Sequence, residues 1–381
     1  MKILLIDQFG EMGGAQRCLL EAAMGFSARG WEVHALAPDG PIHRALTPYC
    51  AEVSEIPCGP FDSRTKTALD AVRFAWQLPR QAAQIARTTT RHNIDLLYVN
   101  GPRVLPGASL GRAGRPLLYH AHWMVPQRSA ASLARTALRR SGTSAIATSR
   151  FAAEWMKDSV KPSFISIIYN GVAGFGALPR TRKAVRHIAI LGRVSPEKGQ
   201  LEFVRAARIA SQGNASLRFT VCGSSMFTAS SYFEQVRAEA AGAPVEFAGW
   251  TENVGAFLAG VDLLVVPSQP IDNIPRVILE AFAAGVPVLA FASGAIPELI
   301  LHGETGLLLD RPSPESLAAA ILSAAGNGEL LNRIAACSYQ RWQERYTLRR
   351  FQSEISDAVE AAVHRHHQRT PFASTGARAP V

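Results

Sequence analysis

The stretch VDLLVVPSQPIDNIPRVILEAFAAGVPVLAF, residues 261–291, reads as strand, loop, helix and strand. DLLVVP (262–267) is a short continuous apolar run, the pattern of a strand buried on both faces. PRVILEAFAA (275–284) changes to helical spacing. Pro275 suits a first turn, where its missing N–H costs nothing, and Gly285 followed by Pro287 suits the end. VPVLAF (286–291) is a second buried strand, so the unit is a parallel pair joined by a crossover helix. The helix N-terminus faces the end of the first strand, where free N–H groups and the helix dipole attract an anion. Two carboxylates, Asp272 and Glu280, flank the same place. A phosphate with hydroxyls on either side satisfies both features, and a nucleotide-sugar (ribose, diphosphate, hexose) has that layout. The plainer alternative for this stretch alone is an exposed helix with two ordinary surface acids.

The same alternation extends through the chain. KILLID, EVHALA, DLLYVN, PLLYHAH and SAIATS read as strands in the first half, and HIAILG, RFTVCG, VEFAG, DLLVVP and VPVLAF in the second. Helical patterns separate them, among them Gln16–Ala28, Gln200–Ser211 and Glu315–Ala325. Repeated strand–helix–strand order means parallel sheets covered on both faces, an α/β class. The 381 residues are too many for one typical core. The glycines and proline of YNGVAGFGALPRTRKAVR break the pattern and place a linker there. We therefore expect two doubly wound, Rossmann-like domains, residues 1–178 and 183–346, facing each other across a cleft at the carboxyl ends of their strands. A helix over 347–367 is expected to pack back on the first domain, and 368–381 to form a disordered tail.

Composition narrows the partners. The five cysteines are scattered without metal-like pairing and read as reduced thiols of a cytoplasmic protein. The opening MKILLIDQFGEMGG suits a first strand rather than a signal peptide, and no stretch is long and apolar enough to span a membrane. Residues 1–180 hold 21 Lys/Arg against 12 Asp/Glu, and residues 181–381 hold 19 against 18. One half thus faces an anionic partner or simply carries a solvated basic surface. Arg64, Lys66, Arg73, Arg80, Arg87 and Arg91 lie among Phe74, Trp76, Leu78 and Ile85, and RSAASLARTALRR adds four more arginines. Such helices can lie on an anionic membrane surface, at the inner face of the cell membrane. Pro79 is expected to break the first of them. Nothing points to nucleic acid.

Two further anion devices appear. GRVSPEKGQ (192–200) follows a strand and opens a helix, with Arg193 and Lys198 placed to converge on one phosphate. GEMGGAQR (10–17) ends the first strand, and Gly13 and Gly14 let backbone approach a ligand. The dinucleotide fingerprint GxGxxG is missing there, which argues against a nicotinamide oxidoreductase. His34 and His43 read as structural, and Ser149 as a helix N-cap. Glu298, in SGAIPELI, reads as a helix-start acid.

Taken in order, GGAQ, GRVSPEKG, VDLLVVPS, the D-x7-E of DNIPRVILEAFAAGVPV and GETGLLL resemble the retaining GT-B glycosyltransferases of the group 1 family, over roughly residues 1 to 365. The resemblance implies sugar transfer from a nucleotide-diphosphate donor with retention and without a bound metal or other cofactor. By position, it makes Arg193 and Lys198 the diphosphate clamp, Glu280 the ribose acid and Asp272 the acid near the donor hexose. Asn273, Ile274, Arg276 and Val277 would cradle phosphate and sugar through their backbone, with Gly13 and Gly14 closing from the first domain. His122 stands where the family has a histidine near the donor sugar, with His120 a second candidate, and the amides of Trp250 and Thr251 stand at the base. Three positions depart from the pattern: Asp272 is one carbon shorter than the usual glutamate, Pro275 replaces a glycine, and Trp123 replaces an aspartate after the histidine. The implied acceptor is a sugar, lipid-linked or part of a polysaccharide precursor. A nucleotide-sugar epimerase on the same fold and a non-catalytic membrane module are the alternatives.

Overall fold

The computed structural model describes residues 1–59, 68–125, 128–176, 179–225, 230–269 and 273–369. The apolar runs of the first half form β1 (Lys2–Asp7), β2 (Glu32–Ala37), β3 (Glu52–Glu55), β4 (Leu96–Asn100), β5 (Leu117–Ala121), β6 (Ser144–Ala147) and β7 (Ile165–Ile167). They pair in parallel in the order β3-β2-β1-β4-β5-β6-β7. The second half gives β8 (His187–Leu191), β9 (Arg218–Cys222), β10 (Val245–Gly249), β11 (Leu263–Val266), β12 (Val288–Phe291) and β13 (Leu307–Leu309). Their order is β10-β9-β8-β11-β12-β13, again parallel. Strand order reverses beside β1 and β4 in one sheet and beside β8 and β11 in the other. At those two points the loops diverge to opposite faces and leave a crevice at the strand ends.

The first half carries α1 (Gly14–Ala28), α2 (Pro41–Leu46), α3 (Ala68–Arg91), α4 (Leu105–Gly111), α5 (Arg128–Ser141) and α6 (Arg150–Ala153). The second carries α7 (Gln200–Gly213), α8 (Ser230–Ala240), α9 (Val254–Ala259), α10 (Arg276–Ala283), α11 (Ile296–Leu299), α12 (Pro314–Ala325) and α13 (Gly328–Arg345). The chain ends in α14 (Leu348–Arg369). Pro275 is the N-cap of α10 rather than its first residue, and Gly285 closes that helix with φ +62°.

Each sheet has an apolar layer on both faces. In one layer of the first half, Phe351, Ile355 and Val359 of α14 join Leu5, Phe26 and Tyr98. The C-terminal helix thus completes the N-terminal core, and Gln352 Nε2 donates to Glu21 O of α1 at 2.9 Å. The chain crosses between the halves twice, and the crossings run together: Val172 N donates to Tyr346 O (2.9 Å) and Leu348 N to Val172 O (3.0 Å).

Two readings need amendment. Helix α3 runs through Pro79 instead of stopping there. Its second half is held by buried Gln81, Ile85 and Thr89, and Gln77, Gln81 and Gln84 donate to the carbonyls of Gly59, Pro57 and Glu55. These contacts offset the roughly 3 kcal/mol that an interior proline costs. Arg80 reinforces the turn by covering the Trp76 ring at 3.4 Å and donating to Trp76 O. The strands β3, β7 and β13 went unread; each lies at a sheet edge and has only three or four residues. The tail expected beyond Arg369 lies outside the described residues.

Candidate active site

The N-terminal crevice is polar by construction. Asp7 closes β1 and Asn100 closes β4, side by side in register and both buried. Asp7 accepts from Gln16 Nε2 of α1 (2.9 Å), from Asn100 Nδ2 (2.5 Å) and from the amide of Phe9 (2.7 Å). Burial raises its pKa to about 6, and those three donors work in the opposite direction. Because the Asn100 amide group points at a carboxylate, its Oδ1 faces His122 Nε2, 2.6 Å away. That nitrogen must therefore carry the proton, which leaves Nδ1 as an acceptor. Desolvation lowers the His122 pKa to about 3, so the ring is neutral at ordinary pH. His120 stacks behind it, ring centroids 4.0 Å apart, fully buried and held through Nδ1 by Tyr98 OH at 2.6 Å. Of the two histidines named from sequence, His120 belongs to the core and His122 to the crevice rim.

The second domain reaches this rim through Asn273. Its Nδ2 donates to His122 O (2.5 Å) and Thr148 Oγ1 (2.8 Å), and its Oδ1 accepts from Ser149 Oγ (2.6 Å). Ser149 also caps α6 by accepting from Ala152 N, as its position predicts. The Asn273 side chain is thus committed to joining the halves, and its carbonyl accepts from Ala295 N (3.2 Å), which leaves the backbone amide for a ligand. Ile274 and Val277 pack partly buried against the core beneath α10. By helix geometry the first-turn amides of Arg276 and Val277 have no intrahelical acceptor. Asp272 lies outside the described residues.

The Arg276 side chain leaves the helix start and crosses to α1. It forms a two-pronged pair with Glu21 (Nη1–Oε2 2.8 Å), while its Nε lies 3.3 Å from Glu280 Oε1. Glu280 is accordingly buried with one oxygen turned toward Arg276. The flanking acids hold Arg276 firmly in its charged form although burial opposes it.

The other switch point holds GRVSPEKGQ. A Cβ at Gly223 would lie 1.8 Å from Gly192 O, and one at Gly199 (φ +76°) 2.0 Å from Pro267 O. Glycine at both positions lets the loop press onto the ends of β9 and β11. Gln269 N donates to Glu197 O (2.9 Å), which clips this loop to the one after β11. Gln200 folds back, donating to Arg193 O and accepting from Ser195 N. Arg193 points its guanidinium at Glu197, and Lys198 ends the short turn beginning at Pro196. Gly13 caps α1 with no side chain, and a Cβ on Gly14 would meet nothing within 4 Å, so that helix start is open to a ligand. Trp250, 45% exposed, and Thr251, which accepts from Asn253 N, follow the outermost strand β10.

Glu298 does more than sit at a helix start. Its Oε1 accepts from Phe151 N (2.9 Å) and its Oε2 from Arg150 N (2.9 Å) and Tyr169 OH (2.8 Å). It caps α6 of the opposite half. Burial and this acceptor push Tyr169 up to about 12. Asp7, Asn100 and Glu21 were absent from the sequence reading. The first two had a signal, a polar residue closing an apolar strand; Glu21, in the middle of a helix, had none.

Two parallel-sheet domains whose switch points open on one interdomain crevice define the GT-B fold. The chain matches the family Glycosyl transferases group 1 over residues 185–327 and Glycosyltransferase Family 4 over residues 12–173, so each half is similar to a glycosyltransferase-family domain. It is 38% identical over 93 residues to the lipopolysaccharide core biosynthesis glycosyltransferase LpsE of Rhizobium meliloti, covering 24% of this chain and 26% of that one. It is 25% identical over 370 residues to the D-inositol 3-phosphate glycosyltransferase of Rhodococcus opacus, covering 86% and 81%. The chain spans only 12% and 26% of the length of the two relatives it matches at 35% and 38% identity. The structure of HepE from Anabaena in complex with UDP and glucose superposes with a TM-score of 0.78 at 23% identity, over 95% of this chain and 100% of that one.

Proposed function

We propose that the protein transfers a sugar from a nucleotide-diphosphate donor to a sugar acceptor, with retention at the anomeric carbon and no metal ion in the transfer. One observation carries this reading: a neutral histidine, oriented by a buried Asp–Asn pair, sits where the first domain meets the amide-rich start of α10 in the second. The donor diphosphate lies between that helix start and the loop carrying Arg193 and Lys198. Charge developing on the leaving diphosphate is met by those two cations and by fixed amides, which is electrostatic catalysis. His122 offers Nδ1 to a hydroxyl of the donor sugar, and Asn100 holds the ring so that this face carries no proton. A departing phosphate oxygen takes the acceptor's proton, so no protein base is required. Glu280 receives the ribose hydroxyls through the oxygen not turned toward Arg276, and Asp272 serves the hexose. Trp250 and Thr251 take the base.

The acceptor is lipid-linked or a polysaccharide precursor, and it approaches from the N-terminal half. Curated relatives act on such molecules by name, among them a phosphatidylinositol monomannoside mannosyltransferase from Mycolicibacterium smegmatis. Leu69, Val72 and Trp76 stand 58–64% exposed along one side of α3, interleaved with arginines. An exposed apolar stripe with cations suits a protein resting on an anionic leaflet. No described helix is long and apolar enough to cross one.

Product analysis tests the reaction class. With a donor labelled in the sugar and a crude lipid-linked acceptor fraction, the label should enter a glycoside of the same anomeric configuration as the donor. Free sugar of altered configuration at another carbon would instead identify an epimerase.

A further inference from the structure

We infer that His34, Glu52 and His92 form a binding site for a zinc-class transition-metal ion at the amino ends of β2 and β3, on the edge opposite the crevice. His34 and Glu52 are register partners across these two strands, so their side chains leave the sheet on the same face. His92, just past the end of α3, lays its ring over that of His34 with centroids 4.1 Å apart. Its Nε2 is 3.3 Å from Glu52 Oε2. One ligand atom from each of the three residues lies within 4.8 Å of the other two.

The decisive feature is the hydrogen-bond geometry of His34. Its Nε2 is 2.8 Å from Glu32 Oε1, and a carboxylate that also pairs with Lys2 can only accept. His34 Nε2 therefore donates to Glu32, and Nδ1 is the ring nitrogen left over. That atom is buried without a hydrogen-bond partner, on a residue only 3% exposed. A buried ring nitrogen without a hydrogen-bond partner is unfavourable, and a metal ion bound there removes the penalty. Carboxylate, imidazole and metal in line is also the arrangement that orients a ligating histidine and raises its basicity.

Two imidazoles and one carboxylate are a donor set for Zn²⁺, Co²⁺ or Ni²⁺ rather than Mg²⁺ or Ca²⁺. Tetrahedral bonds of roughly 2.0–2.1 Å need ligand atoms about 3.3 Å apart, so atoms within 4.8 Å of one another close by at most about 1.5 Å. His92 and Glu52 are both partly exposed and free to make it. Arg87 and Arg91 line the adjoining groove with Glu52 and His92, so the fourth coordination position opens beside cations that would hold an anionic or water ligand there. Bound metal would fasten the edge strand β3 to β2 and to the end of α3.

The test is Co²⁺ titration of the full chain followed by visible absorption, with zinc stoichiometry by elemental analysis and thermal unfolding with and without Zn²⁺. One equivalent should bind, with tetrahedral-type absorption and a raised unfolding midpoint. Glu52→Gln and His92→Ala should each weaken binding at least tenfold, and Glu32→Gln about tenfold through His34. His92→Gln serves as a second variant if His92→Ala folds poorly. A His366→Ala/His367→Ala double variant should bind as the wild type does. Absence of stoichiometric binding, binding indifferent to Glu52 and His92, or loss only in the double variant would overturn the assignment.

Discussion

Asp7 shows what a single buried residue implies for the whole chain. Its carboxyl titrates near 6 in the fold against 3.8 as a free side chain. Between those values the native state holds a proton that the unfolded chain has lost, so stability falls as pH rises from about 4 to about 6. The shift corresponds to about 3 kcal/mol. Denaturant unfolding across this range should show the loss, and Asp7→Asn should flatten it. A wild-type curve with no such limb would mean that Asp7 is not desolvated as described. At the other switch point, Arg193→Ala or Lys198→Ala should each remove a charge-assisted contact to the leaving group, about 1.5–3 kcal/mol. Steady-state turnover should drop on the order of ten- to a hundredfold; unchanged turnover in either removes that residue from the clamp. At this scale the sequence shows which residues follow a strand end, as with Arg193, Lys198 and His122. Glu21 and the second task of Asn273 depend on which helix faces which, and residue spacing within one half carries no such information.

Strands buried on both faces were the most legible elements, although VEFAG was read despite its exposure at a sheet edge. Every strand buried on both faces announced itself as an apolar run, whereas EVSE and ISI, half-buried at sheet edges, have no continuous run to see. Proline in α3 misled because the cost of one missing hydrogen bond is local while the anchoring glutamines bond to a segment 18 to 29 residues away. The exposed first half of α3 leads to a measurable expectation. The protein should pellet with vesicles containing anionic lipid at low salt and be released as salt rises, and Trp76→Glu should abolish the binding. Indifference to anionic vesicles at low salt would favour a soluble acceptor. Gly199 offers an element-level check on the clamp loop. Gly199→Ala forces a left-handed conformation and a collision with the Pro267 carbonyl, so it should impair both folding yield and nucleotide affinity.

Over the whole molecule, three cross-domain devices fix how the halves meet: Asn273 on His122 and Ser149, Glu298 on α6, and Arg276 on Glu21. The first two place the α10 start against His122, and the third draws α1, whose start is Gly13–Gly14, toward the same helix. Glu298→Gln turns one acceptor into a donor facing backbone amides, at a cost of about 1–3 kcal/mol. It should loosen the interface, read as faster limited proteolysis of the crossing near Val172. Two domains facing each other across a cleft were legible from the strand–helix repeats and the broken pattern around residues 169–186; the contacts that fix their placement were not, since they join side chains more than a hundred residues apart.

The central claim, a nucleotide-diphosphate sugar held between Arg193, Lys198 and the start of α10, is most directly tested by calorimetric titration with UDP-, GDP- and ADP-sugars. One nucleotide series should bind to the wild type, with affinity lowered about ten- to a hundredfold in Arg193→Ala, Lys198→Ala and Glu280→Gln. Failure of every donor to bind, or equal affinity in wild type and variants, would contradict it.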